Sequence, residues 1–195
     1  MEAAIGFPIR APGNMTATAM PATSLDTTPD TAMVDAARAG DGEAFGHLYA
    51  SYARMVHGIL MARVPPDEVD DLMQDVFLAA FRKVHTLRDA AAFGPWLAMI
   101  TRNRANDFHR HKTETADLPE HVVAADRTEA EANAILALIH RLPDAYRETL
   151  VLRLVEGMTG PEIAERTGLT AASVRVNLHR GMKQLREKLE GGRHE

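Results

Sequence analysis

The sequence predicts an all-α protein: two small helical domains joined by a flexible linker, the C-terminal one containing a helix-turn-helix. Apolar residues recur at steps of three and four in segment after segment, and no stretch alternates as a half-buried strand would. That period is lost over residues 113–130, TETADLPEHVVAADRTEA, where Glu114, Asp117, Glu120, Asp126 and Glu129 are set against Arg127 alone. Pro119 sits in the middle, and the segment suits an acidic tether between two units. Between Thr159 and Leu189 two short helical patterns meet at Gly168, the layout of a helix-turn-helix.

The bulk numbers exclude several classes. A chain of 195 residues fits one medium domain or two small ones, and 46% hydrophobic with 25% charged residues indicates a packed protein. There is no cysteine, which rules out disulfides and thiolate metal sites and fits a reducing cytoplasm. A formal net charge of −5 argues against coating nucleic acid through overall basicity, so charge has to be judged locally. No apolar run approaches a membrane span, and residues 1–30 lack both a basic n-region and an apolar h-region. A cytoplasmic chain without membrane insertion of its own is expected. The histidines form no metal-spaced pair with a carboxylate, and there is neither a glycine-rich phosphate loop nor a nucleophile motif. Neither metal, cofactor nor catalytic residue is therefore expected.

Residues 1–29 are rich in Ala, Thr, Pro and Met and show no period, so they are expected to be a disordered extension, with Met15, Met20 and Met33 as alternative starts. From Thr31 the pattern turns helical. After Gly40 a helix opens at Asp41 and carries Phe45, Leu48, Tyr49, Tyr52, Val56, Ile59 and Leu60 on one face. Pro65 and Pro66 end it. The next helix has Asp67 and Glu68 in its first turn, where the helix dipole favours them, and the apolar set Val69, Leu72, Met73, Val76, Phe77, Ala80, Phe81 and Val84. Its other side shows Asp67, Glu68, Asp71, Gln74 and Asp75, which taken alone is a solvated acidic face. A break at His85–Ala92 precedes a third long helix, with Phe93, Trp96, Leu97, Ile100, Arg104 and Phe108 on its stripe and Arg102, Asn103, Asn106 and Arg110 opposite. Arg88, Arg102, Arg104, Arg110 and Lys112 outnumber Asp89 and Asp107 here, a basic region able to hold phosphates. The aromatics lie on the stripe and are expected in the core. These helices make up a first domain, residues 30–112.

The second domain spans residues 131–190. Ile135, Leu136, Leu138, Ile139 and Leu142 form one helical run, Pro143 stops it, and Tyr146, Leu150, Val151, Leu154 and Val155 form the next, closed by Gly157. Thr159 and Glu162 have the spacing of a capping box, with Pro161 tolerated in the first turn. Gly168 ends that helix in a left-handed conformation and Thr170 can cap the next. In the last helix Val174, Leu178, Met182, Leu185 and Leu189 are expected to pack inward. Ser173, Val176, Arg180 and Lys183, flanked by Arg175 and His179, then face outward where a recognition helix meets base edges. From Ala171 to Leu189, Arg175, Arg180, Lys183, Arg186 and Lys188 oppose only Glu187, an excess suited to phosphates. An ordinary amphipathic helix would carry similar charges, but here the capped helix, the glycine turn and the basic helix occur together.

Three segments, in order, resemble the small extracytoplasmic-function (ECF) sigma factors of bacterial RNA polymerase. DEVDDLMQDVFLAAFRKV is similar to the family's polymerase-binding helix, and AFGPWLAMITRNRANDFHRH to its promoter-melting and minus-ten-reading helix. LPDAYRETLVLRLVEGMTGPEIAERTGLTAASVRVNLHRGMKQLREKL is similar to its minus-thirty-five-reading domain. The resemblance implies core RNA polymerase as partner, with Asp71, Gln74 and Asp75 docking on the β′ clamp helices and a second contact to the β flap. It implies promoter DNA at two surfaces. Leu87, Arg88 and Asp89 would accept a flipped minus-ten base that Asn103 helps to read, beside Arg102, Asn106 and Arg110. Ser173, Arg175, Val176, His179, Arg180 and Lys183 would meet the minus-thirty-five element. An anti-sigma factor is a further implied partner. Leu87 and Asp89 stand where many members have Phe and Gly; Val176 and Asn177 replace a commoner Ser and Arg, and His179 a frequent aromatic. Val176 can touch a thymine methyl, and Arg175 or Arg180 a guanine or a phosphate. The rival expectation is a stand-alone helix-turn-helix activator or repressor, dimeric on a palindromic site, whose N-terminal module would show strands that this chain lacks.

Overall fold

The computed structural model of the protein describes the backbone of residues 28–114 and 127–191 and the side chains of residues 30–111 and 134–190. All regular structure among these residues is helical: α1 (Thr28–Arg38), α2 (Gly42–Met61), α3 (Val69–Lys83), α4 (Phe93–Glu114), α5 (Arg127–His140), α6 (Asp144–Leu154), α7 (Gly160–Thr167) and α8 (Ala171–Gly191), with short 3-10 turns at Pro66–Glu68, Val84–Thr86 and Ala90–Ala92. The predicted extension, apart from Thr28 and Pro29, lies outside the described residues. So does the linker between residues 115 and 126; its flanks continue α4 to Glu114 and start α5 at Arg127. None of the described helices is long and apolar enough to cross a membrane.

The helix boundaries follow from local chemistry. Asp41 caps α2 by accepting from the backbone N–H groups of Glu43 and Ala44 at 2.9 and 3.1 Å. Thr159 and Glu162 form the reciprocal capping box of α7, with Thr159 N–H donating to Glu162 Oε2 at 2.7 Å and Glu162 N–H to Thr159 Oγ1 at 3.4 Å. Thr170 Oγ1 accepts from Ser173 N–H at 3.1 Å and so opens α8. Gly168 takes φ 76°, the left-handed conformation that ends α7. Removing the α7 cap with Thr159→Ala is expected to cost about 1 kcal/mol in urea denaturation, the usual worth of such a residue.

α1 to α4 close around Leu48, Met55, Val56, Ile59, Leu60, Val76, Phe93 and Leu97, all fully or nearly fully buried. Phe93 is core, with Trp96 and Phe108 half-buried against it. The stripes overreach at their edges. Tyr49 and Phe81, expected inward, are exposed, as are Leu154 and Val155 at the end of α6 and Met182 and Leu189 on α8. For Leu189 the reason is length: at 1.5 Å per residue the 21 residues of α8 overhang the 11-residue α6 against which it packs.

The second half does not stand apart from the first. Leu152, Met158, Ile163 and Val174 belong to the same continuous core as the α1–α4 residues, and α6 and α7 pack on α2 while α7 also packs on α4. Five consecutive α6 residues, Glu148 to Leu152, are buried, which requires contact on all sides of the helix. Small residues bring the backbones close. A Cβ on Gly58 would lie 2.7 Å from Leu152 Cδ2, and one on Gly94 would lie 2.8 Å from the Arg166 carbonyl oxygen. Full burial of Leu152 contributes about 2 kcal/mol to this seam.

Candidate nucleic-acid and polymerase interfaces

On α8, Ser173, Arg175, Val176, His179, Arg180 and Lys183 are all exposed, as their spacing predicts. Arg175, Val176, His179 and Arg180 line one shallow concavity. Val176 is an apolar side chain 44% exposed among cations, so it is available for contact and not for packing. Lys183 approaches Glu187 at 3.9 Å, an exposed pair of little energetic weight. The α7 capping box and the Gly168 turn hold this face at a fixed angle to the rest of the half.

The residues assigned to a second reading surface fall into two neighbourhoods. Leu87 ends the Val84–Thr86 turn and is buried, so its side chain supports the loop from below. Arg88 and Asp89 beside it are exposed, and Asp89 accepts from Ala91 N–H at 3.0 Å to cap the next turn. Asn103, Asn106 and Arg110 are exposed along one face of α4, with Arg110 ion-paired to Asp107. Asn103 lies about 15 Å along the helix axis from Phe93, where α4 begins. Arg102 shares that α4 face but is engaged. Its Nη2 donates to Glu148 Oε1 at 2.6 Å and its Nε to Glu148 Oε2 at 3.1 Å.

Glu148 was not singled out by the sequence, where it reads as one charge on a short helix. Its side chain is only 5% exposed and also accepts from Arg63 Nη2 at 2.9 Å. Burial pushes its carboxyl up, but hydrogen bonds and charge from Arg102 and Arg63 outweigh that and hold it below the usual carboxylate range. Other polar contacts cross the same seam. His57 Nδ1 meets Glu156 Oε1 at 2.6 Å, a hydrogen bond that raises the imidazole's proton affinity against the opposing effect of burial. Arg147 Nη1 donates to the Ala62 carbonyl at 3.3 Å. Arg166 donates to the Ser51 carbonyl, and its guanidinium lies 4.8 Å from the Tyr52 ring centroid.

The third surface is acidic. Asp71, Gln74 and Asp75 are exposed together on α3. Asp75 Oδ2 lies 3.6 Å from Arg104 Nη2, again an exposed pair. Among the described residues, His, Asp and Glu side chains make no cluster suited to a metal ion.

The segments that carry these residues match known sequence families. The family model for sigma-70 region 2 matches residues 48–115, and that for sigma-70 region 4 matches residues 132–185. RNA polymerase sigma factor CarQ of Myxococcus xanthus is 31% identical over 161 residues, which cover 78% of this chain and 92% of CarQ. The ECF RNA polymerase sigma-E factor of Haemophilus influenzae is 27% identical over 180 residues, 83% of this chain and 95% of that protein. The chain belongs to the ECF sigma factors. As a sigma factor it directs RNA polymerase to promoters, and the stand-alone activator or repressor is not favoured, because the region 2 match takes up residues 48–115 ahead of the helix-turn-helix. The solved structure of CnrH in complex with the cytosolic domain of CnrY has the same fold, with a TM-score of 0.62 and 25% identity over 84% of this sigma factor and 98% of CnrH. The sigma factor carries its region 4 helix-turn-helix with the α8 face open and its region 2 helix α4 with Arg102 covered.

Proposed function

We propose that α3 docks on core RNA polymerase, that the loop at residues 87–89 and the outer face of α4 read and open the minus-ten element, and that α8 reads the minus-thirty-five element. The observation that carries this reading is the separation of three exposed surfaces of different chemistry on one small chain. Acidic Asp71, Gln74 and Asp75 suit the β′ clamp helices, and the Asn and Arg side chains of α4 suit a melted strand. On α8 a cationic groove with one apolar contact suits a major groove. The exposed Leu154 and Val155 offer apolar area for the β flap. Two modest DNA surfaces on one subunit bind weakly apart and usefully together once polymerase holds both. The chain acts in the cytoplasm as a specificity subunit and is not itself a catalyst.

An anti-sigma protein as regulator is supported by the likeness to CnrH, whose structure contains the cytosolic domain of CnrY. In vitro transcription with core polymerase over a pool of promoters tests the whole reading. Run-off products that depend on this chain are expected, and active core without them would overturn it. Asp75→Arg reverses a charge on the proposed docking face and is expected to weaken core binding at least tenfold in a pull-down titration. Undiminished binding by that variant would remove α3 from the polymerase interface.

A further inference from the structure

Arg63 follows the end of α2 and Arg102 sits in the middle of α4, yet their guanidinium groups converge on one carboxylate. Every anionic partner of this pair comes from the other half of the molecule: Glu148 for both, and Asp144 Oδ2 at 3.7 Å from Arg63 Nη1. Region 2 by itself therefore presents two adjoining cations without a counter-ion among its described residues. The neighbouring Arg104 differs, since Asp75 of its own half faces it. Two planar forks, one from the turn after α2 and one from α4, meeting on a single oxyanion is an arrangement that takes a phosphate as readily as a carboxylate. Arg102 also shares its helix face with Asn103, Asn106 and Arg110, so an anion seated here would lie beside side chains that can bond to bases.

We propose that Arg63 and Arg102 form a seat for a backbone phosphate of the opened promoter strand, and that the Glu148 carboxylate occupies this seat whenever the two halves are closed. The proposal rests on the reading of α4 as a DNA-binding face and adds Arg63 to it. It makes Glu148 and nucleic acid competitors for one site. Closure thus lowers the affinity of the free chain for single-stranded DNA, and separation of the halves exposes both cations together. The close approach at Gly94 is what lets the halves meet: a Cβ there would press on the Arg166 carbonyl oxygen at 2.8 Å, a backbone atom that cannot swing aside.

The test uses the full chain and a fluorescein-labelled single strand of about 12 nucleotides, followed by anisotropy across a salt series. Glu148→Gln removes the competing charge and is expected to tighten binding at least tenfold. Gly94→Ala opens the seam without touching the seat and is expected to act in the same direction. Adding Arg63→Met to Glu148→Gln removes one phosphate contact, so the slope of log K against log salt should become shallower by about 0.7. Circular dichroism checks folding, and Arg63→Gln replaces the methionine variant if that one does not fold. Unchanged affinity in both Glu148→Gln and Gly94→Ala, or an unchanged slope in a folded Arg63 variant, would overturn the proposal. Run-off transcription by the wild-type chain separates the two levels. Core-dependent products with an unchanged slope remove the phosphate seat alone, whereas absent products remove the sigma reading from which it starts.

Discussion

Glu148→Ala is expected to lower the stability of the closed chain by about 3 to 5 kcal/mol, the range seen when one partner is deleted from a buried ion pair. The magnitude follows from what is left behind. Two guanidinium groups that now share one carboxylate at 2.6 to 2.9 Å would face each other across a site nearly closed to water. If the halves part so that both cations rehydrate, the loss is capped at the free energy of the seam, and urea denaturation then shows two transitions in place of one. The wild-type chain should also show an acid limb that the variant lacks. Because the Glu148 carboxyl is held below its ordinary value of 4.5, its contribution is fully present above that pH and is lost as pH falls through the lower folded value. A variant as stable as wild type, with an unchanged acid limb, would show that the triad contributes nothing to closure.

The second large effect concerns promoter choice. Arg175→Ala combined with Arg180→Ala is expected to reduce run-off from the chain's own promoters by about a hundredfold, taking each cation as worth about 1 to 3 kcal/mol at a base edge or phosphate. Both side chains are exposed, line the α8 concavity and lack an ion-pair partner among the described residues, so their loss leaves the fold intact. Binding to core polymerase, measured in the same preparation, should not change. Equal loss of both activities in a folded double variant would mean that α8 serves the polymerase and not the promoter.

Much of this was legible locally. A capping box, a left-handed glycine and a threonine cap are each settled within four residues, so α7, the turn and the start of α8 could be placed from sequence alone. The outward residues of α8 and the acidic face of α3 followed from helical period. The seam did not. Arg63, Arg102 and Glu148 are far apart along the chain, and periodicity reports only which side of its own helix a residue occupies. Leu152 lies off the stripe chosen for α6 because that stripe assumes a single buried face, whereas α6 is sandwiched. The same assumption placed Phe81, Met182 and Leu189 inside, and all three are exposed, Phe81 even though its ring meets that of Phe45 and Leu189 where α8 overhangs α6.

The shared core also has a consequence for distance. Positions ten and thirty-five bases upstream are about 85 Å apart along B-DNA at about 3.4 Å per step. A closed body of this size has a radius of gyration of about 15 Å and is therefore only about 40 Å across. Held together by Leu152 and Glu148, the chain is less than half as long as the interval that the proposed two-element reading asks it to span. On that reading the closed chain would touch one element or the other, and a stray copy would not occupy a whole promoter. On the proposed reading the ruler exists only once the halves are pulled apart, and polymerase, by holding both, would set its length.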